Sequence, residues 1–141
     1  MAYFVSDEFP EADLLKIMKM CLIHDLGEAF TGDIPAFEKT DKDSEKEADV
    51  LGEWVKTLPE PFDKEMAELY QEMEEQQTLE ARIYKALDKL EALIQHNESD
   101  IKTWISLEYD LQMTYGNEQV KFSEYLTELR AKVREDSIQK I

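Results

Sequence analysis

Apolar residues return every three or four positions through almost the whole chain, and that spacing limits the fold to packed helices. Leu14, Leu15, Met18, Leu22, Leu26 and Ala29 form the first row, with Pro10, Glu11 and Asp13 ahead of it and Thr31-Gly32 and Pro35 closing it. A polar stretch from Glu38 to Asp43 follows. Ala48, Leu51, Val55 and Leu58 then mark a second helix ending at Pro59-Glu60-Pro61, and Phe62, Met66, Leu69, Tyr70 and Met73 mark a third. Thr78 stands at the N-cap of a fourth, whose stripe is Leu79, Ile83, Ala86, Leu87, Leu90, Leu93 and Ile94. Between Ile105 and Tyr115 apolar and polar residues alternate, which is a strand pattern. A lone strand leaves its backbone groups unpaired, however, and Leu107, Leu111 and Tyr115 also fit a helical row, so a helix is expected there. A last helix is expected from Glu118 to Ser137 through Val120, Tyr125, Leu126, Leu129 and Val133. The sum is an all-α bundle of about six helices in a single domain over residues 1–141, with no repeat or linker. Trp54, Trp104, Phe62, Tyr70, Met66 and Met73 fall at helical spacing and read as core.

Charge excludes several functions. The chain carries 33 Asp+Glu against 16 Lys+Arg, a formal −17, and so lacks the basic surface that draws in nucleic acid polymers by displacing counterions. Disorder is also excluded, because 43% hydrophobic residues with only four Gly and four Pro suffice for a core. The single cysteine, Cys21, suits a reducing compartment. No run approaches the roughly 18 apolar residues of a membrane span, and the start lacks the basic region of a signal peptide. These features point to a cytoplasmic protein with no membrane partner.

The chemistry is concentrated in Ile23-His24-Asp25-Leu26-Gly27-Glu28-Ala29-Phe30-Thr31-Gly32-Asp33-Ile34-Pro35. On a continuous helix His24 and Glu28 are neighbours at i, i+4 and Asp25 and Glu28 at i, i+3, so an imidazole and two carboxylates share a patch, with Asp33 just past the end. Such a set suits Mn, Fe, Co, Zn or Mg, and an unligated carboxylate beside the ion can move protons for a bound water. The residues alone favour a half-buried histidine among solvated carboxylates, since a bare His-Asp pair is a weak signal.

The string His24-Asp25-Leu26-Gly27-Glu28, continued to Gly32-Asp33-Ile34-Pro35, resembles the signature of the HD-domain phosphohydrolases, in particular their 5′-deoxynucleotidase-like branch. Ala86-Leu87-Asp88-Lys89-Leu90-Glu91 is similar to the later helix of that family, whose Asp closes the metal site. The resemblance covers residues 1–96. It implies a helical HD domain with a metal-site core over 12–96 and C-terminal helices over 100–141. It also implies a divalent cation held by His24, Asp25 and Asp88, with Glu28 beside the scissile phosphate and Asp33 at the sugar of a nucleoside monophosphate. On the helix itself Asp88 lies roughly 100° around from Leu87, at the edge of the buried arc, where a carboxylate either points into a cleft or stays in solvent.

The resemblance also implies a departure. The family's first metal histidine, with a basic phosphate-binding residue, lies upstream of the position matching Met1. Met1 to Val5 reads as the end of a helix whose earlier turns are absent, or as a short frayed terminus. His96 is no substitute, being about 12 Å along the same helix from Asp88; it is expected at the surface near the helix end. Weaker metal binding than in longer relatives is therefore expected. Three functions stand side by side: a metal-dependent phosphomonoester hydrolase, a remnant binding metal or nucleotide without turnover, and an acidic helical interaction module. A homodimer is expected from the family, with Thr103-Trp104-Ile105 and Tyr109 to Tyr115 as one surface for it.

Overall fold

The computed structural model describes residues 1–35 and 38–141. Among them every regular element is helical: α1 (Ala2–Glu8), α2 (Leu14–Ile23), α3 (Glu28–Thr31), α4 (Asp41–Lys56), α5 (Phe62–Glu75), α6 (Leu79–Glu98), α7 (Ser106–Thr114) and α8 (Glu124–Lys140), with a single 3₁₀ turn at Ile101–Thr103. The fold is the expected all-α bundle. α6 lies at its centre, touching α2, α5, α7 and α8. Thr78 caps it as its sequence position requires, accepting a hydrogen bond from the Ala81 amide.

The apolar stripe of α6 forms the core. Ile83, Ala86, Leu87, Leu90 and Leu93 pack with Val5 of α1, Ile17 of α2, and Leu126 and Val133 of α8. Leu90 is fully buried, and a side chain of that size contributes about 2 kcal/mol through burial. A smaller cluster of Met20, Met73, Ala81 and Tyr84 joins α2, α5 and α6. Met73 and Trp104 are core residues as expected, whereas Phe62 is 57% exposed, because at the first position of α5 its stripe has not yet reached the bundle. Trp104 stacks on His96 and Tyr109, so it faces inward and offers no outer surface. Tyr3, Phe4, Leu15, Met18 and Leu22 leave an exposed apolar face on α1 and α2.

The first predicted helix is broken. α2 stops at Ile23, and the next amides reach back three residues instead of four: Leu26 N to Ile23 O at 3.2 Å, Glu28 N to Asp25 O at 3.0 Å and Phe30 N to Gly27 O at 3.1 Å. Gly27, in this segment, is pressed against α4, where a Cβ would lie 2.7 Å from Glu47 Cγ. α4 begins earlier than its apolar row, because Thr40 and Asp43 form a capping box, with each side chain accepting from the other's amide. α8 begins at Glu124, not Glu118. Ser123 caps it, and Glu8 of α1 accepts from both Ser123 Oγ (2.5 Å) and the Glu124 amide (2.7 Å). α7 is a helix, as the pairing argument required. Among the described residues no helix is long and apolar enough to cross a membrane.

Candidate functional site

α2 carries His24 to its C-terminal end, and α6 presents Asp88 opposite. The His24 Nε2 lies 3.1 Å from Asp25 Oδ2 and 3.3 Å from Asp88 Oδ1, while Nδ1 is 2.5 Å from the Cys21 carbonyl. With both ring nitrogens facing acceptors, the imidazole is held as a cation. Its pKa is raised to about 9, first by the hydrogen bond it donates to Asp88, against the opposing effect of burial, with Cys21 O and Asp25 adding to the rise. Burial acts to raise the Asp88 pKa, but the bond from His24 and the nearby Lys85 outweigh it and the carboxyl stays below its usual range. Lys85 Nζ, one turn earlier on α6, lies 3.2 Å from Asp88 Oδ2 and leaves Oδ1 to His24.

Two tyrosines brace this group from below. The Tyr70 hydroxyl donates to the Ile23 carbonyl at 2.7 Å, fixing the end of α2 to α5. The Tyr84 ring lies 5.9 Å from the His24 ring and is almost wholly buried.

The broken helix changes which acids face one another. At the three residues per turn of a 3₁₀-type segment, residues 25 and 28 eclipse while residues 24 and 28 do not. Glu28 is accordingly under the influence of Asp25, not paired with His24. Its carboxyl pKa is raised, first by burial and then by the charges of Asp25, Asp33 and Glu47, with Lys39 pulling the other way. Asp33 lies beyond α3 in an exposed position past Gly32, close enough to act on Glu28. The structure thus brings Asp25 and Asp88 into direct contact with His24 and sets Glu28 near Asp25, with Asp33 near Glu28.

Among the described residues no three His, Cys, Asp or Glu side chains have donor atoms converging on a common point. His24, Asp25 and Asp88 instead satisfy one another through the imidazole proton.

Sequence reasoning missed the basic residues. A cleft of about 750 Å³ opens from His24 between α4 and α5, and Lys39, Lys56, Lys64 and Lys85 all line it. Lys39 pairs with Glu47 at 2.5 Å, and that bond raises its pKa. Lys85 was legible as the residue three before Asp88, on the same helix face. Lys39 was not, since a loop and α4 must first fold to bring it in. His96 also departs from expectation. It is only partly exposed, stacking on Trp104 at 4.4 Å and bonding Gln112 Oε1 through Nδ1 at 2.8 Å.

A family model described as an HD domain matches residues 1–130. The chain is 31% identical over 130 residues to the 5′-deoxynucleotidase HDDC2 of Dictyostelium discoideum, an alignment covering 91% of this chain and 63% of that protein. It is 31% identical over 100 residues to the Homo sapiens protein of the same name, covering 70% and 48%, and 35% identical over 85 residues to that of Danio rerio, covering 59% and 42%. The chain therefore spans between 42% and 63% of the length of these relatives. No solved structure matches it. With the family model covering 130 of 141 residues, the chain belongs to the HD-domain family.

Proposed function

We propose that this chain is a metal-dependent phosphohydrolase acting on nucleoside 5′-monophosphates, with a divalent cation (Mn, Co, Fe, Zn or Mg) held by His24, Asp25 and Asp88. The observation that carries the reading is His24 Nε2 within 3.1 and 3.3 Å of two carboxylates from different parts of the chain. The donor set fits a hard or borderline cation once the imidazole proton leaves. The names of the relatives support a nucleotide as substrate.

A cation bound there would polarise a phosphoryl oxygen and lower the pKa of a bound water. The chain's own groups do the rest. The bond between Nδ1 and Cys21 O fixes the ring so that Nε2 faces the carboxylates. Lys85 orients Asp88 and, with Lys39, brings positive charge to a protein whose net charge would otherwise repel a phosphate dianion. In the roles the resemblance implies, Glu28 would pass a proton to or from the reacting oxygens and Asp33 would accept from a sugar hydroxyl.

A second reading has its own support. Only one imidazole contributes to the donor set, and no three donors converge on a point among the described residues. That favours weak metal or nucleotide binding without turnover. One assay separates the two: phosphate release from deoxynucleoside monophosphates with Mn or Co, in this chain and in Glu28→Ala. Release that is lost in Glu28→Ala is the expected result. A metal-dependent rise in melting temperature without release would leave the binding reading, and neither response would leave an acidic interaction module. We also propose a homodimer that places a second copy over the exposed face of α1 and α2; sedimentation at micromolar concentration checks it, and a monomer at every concentration rejects it.

A further inference from the structure

The Glu28 carboxylate has a cation close by and, among the described residues, does not pair with it. Burial and the charges of Asp25, Asp33 and Glu47 act on Glu28 in one direction, and the charge of Lys39 acts in the other. The Lys39 ammonium is committed elsewhere, lying 2.5 Å from Glu47 Oε2. At 26% and 15% exposed, the two side chains are too well covered to be a loose surface pair. Glu28 and Asp25 are the other acids whose charges act on Lys39.

The pair is fixed from both sides. The Lys39 amide donates to Pro35 O at 3.0 Å, and the next residue, Thr40, forms the capping box of α4 with Asp43, so the backbone on either side of Lys39 is held. Glu47 turns inward from α4, whereas its neighbours Glu45, Lys46 and Ala48 are exposed. Gly27 makes room for it: a Cβ there would lie 2.7 Å from Glu47 Cγ and 3.0 Å from Oε1. The glycine immediately before Glu28 thus lets a carboxylate from α4 reach the turn that carries Glu28, and that carboxylate takes the ammonium. A lysine left unpaired at this point would turn to the remaining acids, and an ion pair would hold Glu28 as a carboxylate and weaken it as a base. Proton transfer needs a group free to gain and lose its proton near the working pH.

We infer that Glu47 is a positioning residue for the proposed hydrolysis: by engaging Lys39 beside Gly27 it keeps that ammonium off Glu28 and leaves the Glu28 carboxylate unpaired. The inference rests on the proposed reading of Glu28 as the group that transfers protons. Glu47 acts through where it holds Lys39. Burial and the charges of Asp25, Asp33 and Glu47 keep the Glu28 pKa above its ordinary value, and the pair preserves that state.

Two measurements on the full chain test this: steady-state phosphate release from deoxyadenosine 5′-monophosphate with Mn, and carbon-13 NMR titration of the Glu28 carboxyl without metal, assigned by its loss in Glu28→Gln. Glu47→Gln keeps the shape over Gly27 and removes the charge. It should lower kcat at least about tenfold with KM changed less than about twofold, and should move the Glu28 midpoint to lower pH. Lys39→Met should move that midpoint to higher pH. In Lys39→Met/Glu47→Gln the midpoint should fall between the two and kcat should recover, because the displaced ammonium is gone. Gly27→Ala, whose methyl displaces Glu47, releases Lys39 by a second route should Glu47→Gln melt early, and should lower the midpoint as well. A midpoint that moves the same way in both single variants or stays in place, or a double variant with kcat no better than that of Glu47→Gln, overturns the inference. Opposite midpoint shifts with no phosphate release in any variant would remove the hydrolase reading and leave the hold of Glu47 on Lys39 standing. Phosphate release with kcat unmoved by Glu47→Gln would do the reverse.

Discussion

His24 and His96 have closely similar surroundings. Their side chains are 24% and 26% exposed, each Nε2 lies 3.1 to 3.3 Å from a carboxylate, and each ring lies against an aromatic one. The difference is in what lies beyond. His96 is closed in by α7 and α8: Gln112 takes its Nδ1 proton, and the amide of Gln112 in turn donates to Leu93 O at 3.3 Å and Ser137 Oγ at 2.9 Å. Ser137 donates on to Asn97, which bonds Asp136. The Nε2 of His96 is buried and, at 3.3 Å from Glu108, is not aligned for a hydrogen bond. His24 instead opens onto the cleft with its lysines. A histidine, a carboxylate and an aromatic ring do not make a reactive site; a side open to a ligand, with charges arranged along it, is what distinguishes the two.

The comparison breaks most sharply on exchange of the two histidines. His24→Ala should lower phosphate release by roughly a thousandfold or more, equivalent to about 4 kcal/mol, with His96→Ala leaving it unchanged. An equal loss of turnover in both variants would end the distinction. Fold stability should respond in the opposite order. His96→Ala is expected to cost about 2–3 kcal/mol by urea denaturation, because it strips Gln112 of a partner and leaves a gap beside Trp104.

A smaller effect comes from pH. In the metal-free chain the folded pKa of His24, about 9, lies above its unfolded value of roughly 6.5. Its contribution to stability is therefore complete below the unfolded value and is lost as the pH rises through about 9. Between about pH 6 and about pH 10 the unsubstituted chain should lose roughly 1–2 kcal/mol more stability than His24→Gln. Metal affinity should move the other way, rising with pH as the competing proton becomes easier to displace; calorimetry at several pH values reads both the affinity and the protons released. The smallest expected effect is a gain. Gly52→Ala should add up to about 1 kcal/mol, because the new methyl meets open space in a helix interior; a loss of stability would show that the cleft closes over that residue.

What could be read in the sequence depended on how local each cause was. The stripe of α6, the Thr78 cap and the position of Asp88 at its edge all follow from one helix and were legible. The break after Ile23 was not, since the apolar row continues through Leu26 and Ala29 and no local signal ends it there. For the same reason the pairing of His24 with Glu28, drawn on a continuous helix, gave way to the pairing of Asp25 with Glu28. The start of α8 was misplaced because apolar Val120 continues the row, while the caps that set the boundary include a carboxylate from α1. The inward place of His96 depends on α7 and α8 folding over it. His24, Asp25 and Asp88 were thus visible in the motif, whereas the lysines and the cleft required the tertiary structure.

The contact of Glu8 with Ser123 and Glu124 joins the first helix to the last across 115 and 116 positions. The Glu124 amide therefore acts as a remote reporter on α1. Its hydrogen-exchange rate measures how often α1 lifts away, so that one amide in the C-terminal helix follows the coherence of the N-terminal half of the bundle.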